Sequence, residues 1–449
     1  MVNVKQCLVI KPEKPTPTTY MCVSELDQEK PITHALTVYF YHRPLSESFS
    51  FESTSKLLQD SLSQVLVHFY PLAGRLHTIV GSGGRVTLDC NSSGVLFFEA
   101  NSDATIEQLK NFAQPAELRS LVPFVDYGVT DLHELPLLMV QLTELSCGGI
   151  TLGIGLSNIM ADGTCASHFM AEWARIARGD PLENQPFLDR SVLLAADPTP
   201  PPRFKHDRFE PNSLLVGQSD DQEERTKETK IVMLHLNQDQ VHKLKEMANE
   251  ARPGYVSRPF SRFEAIAGHI WKCAIKARGH QPAQKTKLYI PVSIRGRMPL
   301  PEWYFGNAIM KQAASSQSGE LVKMPLGYAC GKIREAVEVV TEDYVKSALD
   351  NTKLQPDLAA HRTFHTAGSA TTGSFDGNPN MELISWLGIP FKGLDFGWGR
   401  SMYMGPATIN VDGKGIIFPG DSGDGSVSVA LCFQIAHVAN LVKHFYQID

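Results

Sequence analysis

No apolar run in this 449-residue chain is long enough to cross a bilayer, which needs about 20 consecutive apolar residues. Its eight cysteines, at positions 7, 22, 90, 147, 165, 273, 330 and 432, show no CxxC pair and no other metal-ligand spacing. Neither a disulfide framework nor a zinc site is implied. Basic residues are not in excess: the formal net charge is −6 and no basic stripe marks a nucleic-acid footprint. The N-terminal stretch MVNVKQCLVIKPEKPTPTTY breaks its apolar residues with lysine and proline and lacks the apolar core of a secretory signal, so a cytoplasmic location is expected. GxSxG and phosphate-loop patterns are missing, and Gly153-Ile154-Gly155 lacks the third glycine of a dinucleotide fingerprint. His361 and His365 have helical metal spacing but no third ligand, and no metal is expected. What these absences leave is a soluble globular chain acting on small molecules.

The length predicts two or more domains of roughly 200 residues each. Residues 33–41 alternate as a buried strand, and Leu57, Leu58, Leu62, Val65 and Leu66 then recur at helical spacing. Leu138 to Leu145 and Ile150 to Leu156 read as a hairpin around Cys147-Gly148-Gly149. In its second strand Thr151, Gly153, Gly155 and Ser157 share a face that leaves space for a ligand or for another backbone. Cys165, Phe169, Trp173 and Ile176 fit a helix ending near Gly179. Prolines at 198 and 200–202 and the charged run to Lys230 mark a linker, dividing the chain into 1–196, a crossover at 197–230, and 231–449. Past it come a strand at 231–236, helices at 239–251 and 263–277, a strand at 427–435 and a final helix from His437 to Phe445.

Asn158 to Gly163, N-I-M-A-D-G, occupies the turn between the hairpin and the following helix. Histidine at position 158 would make it HxxxDG, with an imidazole able to take a proton from an attacking alcohol or amine near neutral pH. Asparagine cannot do that. Asp162 has a second local reading as the helix N-cap. Tyr304-Phe305-Gly306-Asn307 reads as a turn, and Asp395-Phe396-Gly397-Trp398-Gly399 as a tight turn wedged by aromatics.

In this order NIMADG, YFGN and DFGWG resemble the plant BAHD acyl-CoA-dependent acyltransferases, whose hallmarks are HxxxDG and DFGWG. The resemblance spans nearly the whole chain, including His68 to Leu76 and Gly268-His269-Ile270-Trp271. Segments at 147–155, 172–190, 272–280 and 377–399 are most similar to spermidine hydroxycinnamoyl transferases. The resemblance implies an α/β fold of two chloramphenicol-acetyltransferase-like domains with a channel at their interface, a segment around 366–395 packing with the first. It implies acyl-CoA as co-substrate, no bound cofactor, and a monomer of plant specialised metabolism. Asn158 then holds the base position, with Asp162 and Gly163 matching. Arg295 or Arg297 partners Asp162 to hold the turn, Thr37, Tyr39 and Trp386 line the pocket, and Ser261 and Arg262 contact CoA. Asp395, Gly397, Trp398 and Gly399 are structural. The stretch Val292 to Pro301 departs from the family pattern, with Ser293 where aspartate is usual and a shorter loop.

Three readings of Asn158 follow. The chain is a hydroxycinnamoyl-type acyltransferase toward a polyamine or alcohol, impaired or altered at its base. Alternatively it is a scaffold turned to lyase or cyclase chemistry, or it binds ligands without catalysis. A polycationic acceptor requires carboxylates facing it in the channel, whereas an apolar channel favours an alcohol.

Overall fold

Two mixed six-stranded sheets carry the chain, each built from short alternating apolar runs. The computed structural model describes residues 2–43, 50–109, 115–128, 130–362, 365–366, 369–370, 375–390, 393–409, 411–420 and 423–448. The first sheet runs, in spatial order, Val2–Ile10, Val95–Ser102, Leu138–Leu145, Ile150–Ser157, His34–Tyr41 and Tyr403–Pro406. The second runs Ile309–Gln317, Lys285–Ser293, Met381–Ser385, Lys414–Pro419, Val427–Gln434 and Thr229–Leu236. Among the described residues no helix is long and apolar enough to cross a membrane.

The 197–230 stretch holds only two short helical turns, Asp207–Phe209 and Gln222–Thr226, before Thr229 enters the second sheet. One strand beyond the linker and beyond the 366–395 segment joins the first sheet. Tyr403–Pro406 pairs antiparallel with His34–Tyr41 and so belongs to the first sheet. The crossing thus extends past the expected 366–395 segment. Met381–Ser385 is a central strand of the second sheet, while Trp386, Ile389 and Leu394 pack against the first core. Residues 367–368, 371–374 and 391–392 of that stretch lie outside the described residues.

The hairpin and helix that frame the central turn follow the apolar spacing. Leu138–Leu145 and Ile150–Ser157 pair antiparallel across Gly148, whose φ of +79° suits glycine. Helix Gly163–Ala177 buries Cys165, Phe169, Met170 and Trp173 and stops before Gly179 at φ +86°. Trp173 Nε1 donates to Ser61 Oγ at 3.0 Å, fastening this helix to Phe51–His68. The small face of Ile150–Ser157 proves to hold backbone rather than ligand. A Cβ on Gly153 would stand 2.1 Å from the Leu121 carbonyl oxygen. Ile154 and Leu156, on the opposite face, border the cavity described below.

Gly153→Ala therefore forces the Leu121–Val122 backbone away and costs about 1–3 kcal/mol of stability, measurable by urea unfolding.

Candidate active site

A cavity of about 500 Å³ opens between the two halves and is lined by both. Thr37, Tyr39, Asn158, Asp162, Gly163 and Trp386 all border it. At its centre the strand Ile150–Ser157 ends, and the backbone turns through Asn158, Ile159 and Met160 before the helix starts at Gly163. Asp162 is the N-cap: its Oδ1 accepts the Cys165 N–H at 3.1 Å. The same carboxylate binds the second half, since Oδ2 takes Arg295 Nη1 at 2.5 Å and the Ala308 N–H at 2.9 Å. Cap and ion pair are thus one group doing both jobs. Burial works against the Arg295 charge, but Asp162 more than offsets it and raises the guanidinium pKa. Of the two candidate arginines, Arg297 points elsewhere and donates to the Val337 and Val340 carbonyls.

The turn's carbonyls are clamped from behind. Asn307 Nδ2 donates to the Asn158 and Ile159 carbonyls at 2.9 and 3.1 Å, and Arg190 donates to those of Ile159 and Met160 at 3.3 and 2.7 Å. Both clamps hang on Asp27. Its Oδ1 accepts the backbone and side-chain amides of Asn307 at 2.9 and 2.8 Å, and its Oδ2 pairs with Arg190 at 2.9 Å. Ser24 completes the shell, with N and Oγ donating to Oδ2 at 2.9 and 2.8 Å. Asp27 and Arg190 side chains are 0% and 1% exposed, so the pair is fully desolvated and every lone pair needs a donor. YFGN is therefore a clamp on the turn as well as a turn itself.

Asn158 uses its amide on the first sheet. Nδ2 donates to the Thr33 carbonyl and hydroxyl at 2.9 and 3.0 Å, which leaves Oδ1 to accept a bond from a ligand. Nothing in that side chain can take up a proton. His34, next along, lies opposite Ser157 and also borders the cavity. Its Nε2 donates to the Pro136 carbonyl at 2.7 Å, which fixes the tautomer, and its Nδ1 faces the Tyr127 hydroxyl at 2.6 Å. Burial lowers the His34 pKa to about 4 and raises that of Tyr127 to about 12.

Charges on the cavity wall are mostly paired with each other. Asp376 pairs with Lys311, and Glu382 with Lys414 at 3.2 Å. Glu29 accepts Thr352 Oγ1 at 2.5 Å and lies 3.8 Å from Arg208. Among the described residues Lys30, Arg119 and Asp126 differ in bonding only to backbone: the one hydrogen bond of Lys30 goes to the Ile309 carbonyl at 3.1 Å, and burial lowers its pKa.

Other expected residues lie away from the cavity. Ser261 caps helix Arg262–Arg278 through a capping box with Glu264, and Arg262 reaches the Gly425 carbonyl at 3.4 Å. Asp395 Oδ1 accepts the Gly397 and Gly399 N–H groups at 2.8 and 3.0 Å, both glycines at positive φ. Phe396 inserts edge-on against Trp173 at 5.0 Å and stacks on Trp398 at 5.4 Å. DFGWG thus fastens the returning segment to the far end of the site helix, where Arg178 donates to the Asp395 carbonyl at 2.5 Å. His168 and Glu172 serve the 183–184 loop, Glu172 accepting both its N–H groups. Sequence reading missed Asp27, Arg190, Lys30, His34 and Tyr127. The only local hint was His34 at the head of the predicted strand.

Two sheet-bearing halves that share one cavity, with a capped strand-to-helix turn at its centre, define a two-lobed transferase scaffold. The model of the Transferase family matches residues 1–448, and the chain belongs to this family, the BAHD acyl-CoA-dependent acyltransferases. It is 45% identical over 453 residues to a hydroxycinnamoyl-CoA:piscidic acid hydroxycinnamoyltransferase from Actaea racemosa, covering 100% of both chains. It is 38% identical to a shikimate O-hydroxycinnamoyltransferase from Nicotiana tabacum, covering 99% of both. The crystal structure of vinorine synthase superposes with a TM-score of 0.75 at 25% identity, over 98% of this chain and 96% of that one. The protein is an acyltransferase enzyme that uses acyl-CoA as co-substrate.

Asp27→Ala strands a buried guanidinium and releases the turn. It is expected to cost about 3–5 kcal/mol in chemical denaturation.

Proposed function

We propose that this enzyme moves a hydroxycinnamoyl-type acyl group from CoA to a hydroxyl of an acceptor that carries a carboxylate. The observation that supports this is Lys30, a cavity-lining ammonium with a backbone carbonyl as its hydrogen-bond partner. Glu29 partly supports this charge against burial, and an acceptor carboxylate on Nζ would offset the remaining desolvation cost. Two relatives are named for transfer to piscidic acid and to shikimate, and both are carboxylic acids.

A polyamine acceptor such as spermidine fits less well. Asp162, Asp376 and Glu382 are each held by a cation of the protein, and Glu29 by Thr352 and Arg208, which among the described residues leaves Asp126, bonded to the Gly128 N–H, as a single carboxylate for an incoming polycation. Asn158 orients the substrates through Oδ1 and leaves the proton to another group. Arg262 and Ser261 remain the residues proposed for CoA. Among the described residues Arg262 makes one long bond, to Gly425, which leaves most of its donors for phosphate.

The test is turnover of one hydroxycinnamoyl-CoA with a hydroxy-acid panel and with spermidine. Hydroxy acids are expected to be esterified, and Lys30→Met to raise their KM about 10–100-fold while leaving the KM of the methyl ester unchanged. Faster amide formation on spermidine would contradict the assignment.

A further inference from the structure

Position 158 offers no base, yet the cavity wall beside it holds an imidazole and a phenol already joined. Asn158 and Tyr127 grip the same peptide unit. The Thr33 carbonyl accepts Asn158 Nδ2 at 2.9 Å, and the His34 N–H donates to Tyr127 Oη at 3.1 Å. The rings of His34 and Tyr127 stack with centroids 5.8 Å apart. With Nε2–H spent on the Pro136 carbonyl, Nδ1 is the acceptor, so the Tyr127 hydroxyl donates its proton inward to His34. Oη accepts the His34 N–H and retains one lone pair, and Tyr127 borders the cavity. This is the hydrogen-bond order of a relay, in which one group faces the substrate and a second, oriented by a third, stores the proton.

We propose that Tyr127 and His34 act as a proton relay that replaces the missing base at position 158. The proposal rests on the acyl-transfer reading above. The acceptor O–H bond breaks as its proton passes to Tyr127 Oη, and the Tyr127 hydroxyl proton passes to His34 Nδ1. The freed oxygen pair forms the bond to the thioester carbonyl carbon. On collapse the C–S bond breaks, and the proton returns from His34 through Tyr127 to the CoA sulfur, giving ester and free thiol. Tyr127 is the catalytic residue, touching the acceptor; His34 acts through it. Burial keeps His34 neutral, so its Nδ1 lone pair is available across the physiological pH range, and the Pro136 carbonyl supports the transient imidazolium. Arg119, which lowers the Tyr127 pKa against the larger effect of burial, favours negative charge on the same oxygen.

The experiment is a double-mutant cycle between Tyr127→Phe and Asn158→His, with kcat and KM measured on a hydroxycinnamoyl-CoA and a hydroxy-acid acceptor. In the native chain Tyr127→Phe is expected to lower kcat about 100-fold, with KM for both substrates nearly constant. In the Asn158→His chain, where an imidazole stands at the usual position, the loss shrinks to less than about threefold, a coupling that a structural role does not create. His34→Gln, whose amide oxygen can still accept the Tyr127 hydroxyl, is expected to lose kcat alike while binding CoA normally by calorimetry. An active native chain with equal losses in both backgrounds, with losses in KM alone, or with no loss overturns the relay and leaves acyl transfer standing. A native chain and an Asn158→His chain that both fail to form ester overturn the acyl-transfer reading, and the relay with it.

Discussion

The buried carboxylate of Asp27 is the interaction on which the site depends. It lies on a four-residue helix, Glu25–Gln28, where Ser24 brings two donors to one oxygen. That oxygen also takes Arg190, and the other takes Asn307. The arginine and the asparagine then hold the carbonyls of residues 158–160. A charge this deeply buried is tolerated only when fully bonded, so removing any member exposes the rest to an unpaired group. Asp162 repeats the device on the helix side, tying the N-cap to Arg295 and Ala308 of the second half. Between them the two aspartates fix the turn without using the side chain of residue 158.

That separation explains how a catalytic turn can keep its shape while its base is absent. Asn158 satisfies its own amide on Thr33 and perturbs none of the clamps. The scaffold therefore imposes geometry, and the proposed relay assigns proton transfer to a wall group that borders the same cavity. The wall near Asn158 is chemically rich for this reason: His34, Tyr127 and Lys30 all border one cavity. The cations on this wall are of two kinds: Lys311, Lys414 and Arg208 sit against protein carboxylates, while Lys30 and Arg119 donate to backbone carbonyls and are the ones suited to an anionic ligand.

Local pattern was enough to read the elements that frame the central turn, while four of the six strands of the second sheet went unread. The strands at 34–41 and 150–157 and the helices at 163–177 and 262–278 lie within a few residues of where alternation, helical spacing, caps and glycine stops place them. The three motifs located the central turn and its aspartate. Asp27 and Arg190 escaped notice because they are 163 positions apart and each sits in a charged stretch, DQEK and FLDR, that reads as solvated surface. The exchanged strand Tyr403–Pro406 is four residues long, too short for a period to declare itself, and its place is decided by pairing with His34–Tyr41. Gly153 left ligand and backbone equally open on sequence alone, since a missing side chain does not say what fills the space. The approach of Leu121 decides it.

The most direct measurement is a crystal structure of the enzyme with CoA and an inert deoxy analogue of a hydroxy-acid acceptor. The CoA thiol is expected in the cavity beside Asn158, the acceptor carboxylate on Lys30 Nζ, and the turn at 158–162 unmoved. An acceptor carboxylate bound elsewhere, with Lys30 still on the Ile309 carbonyl, would contradict the role of Lys30.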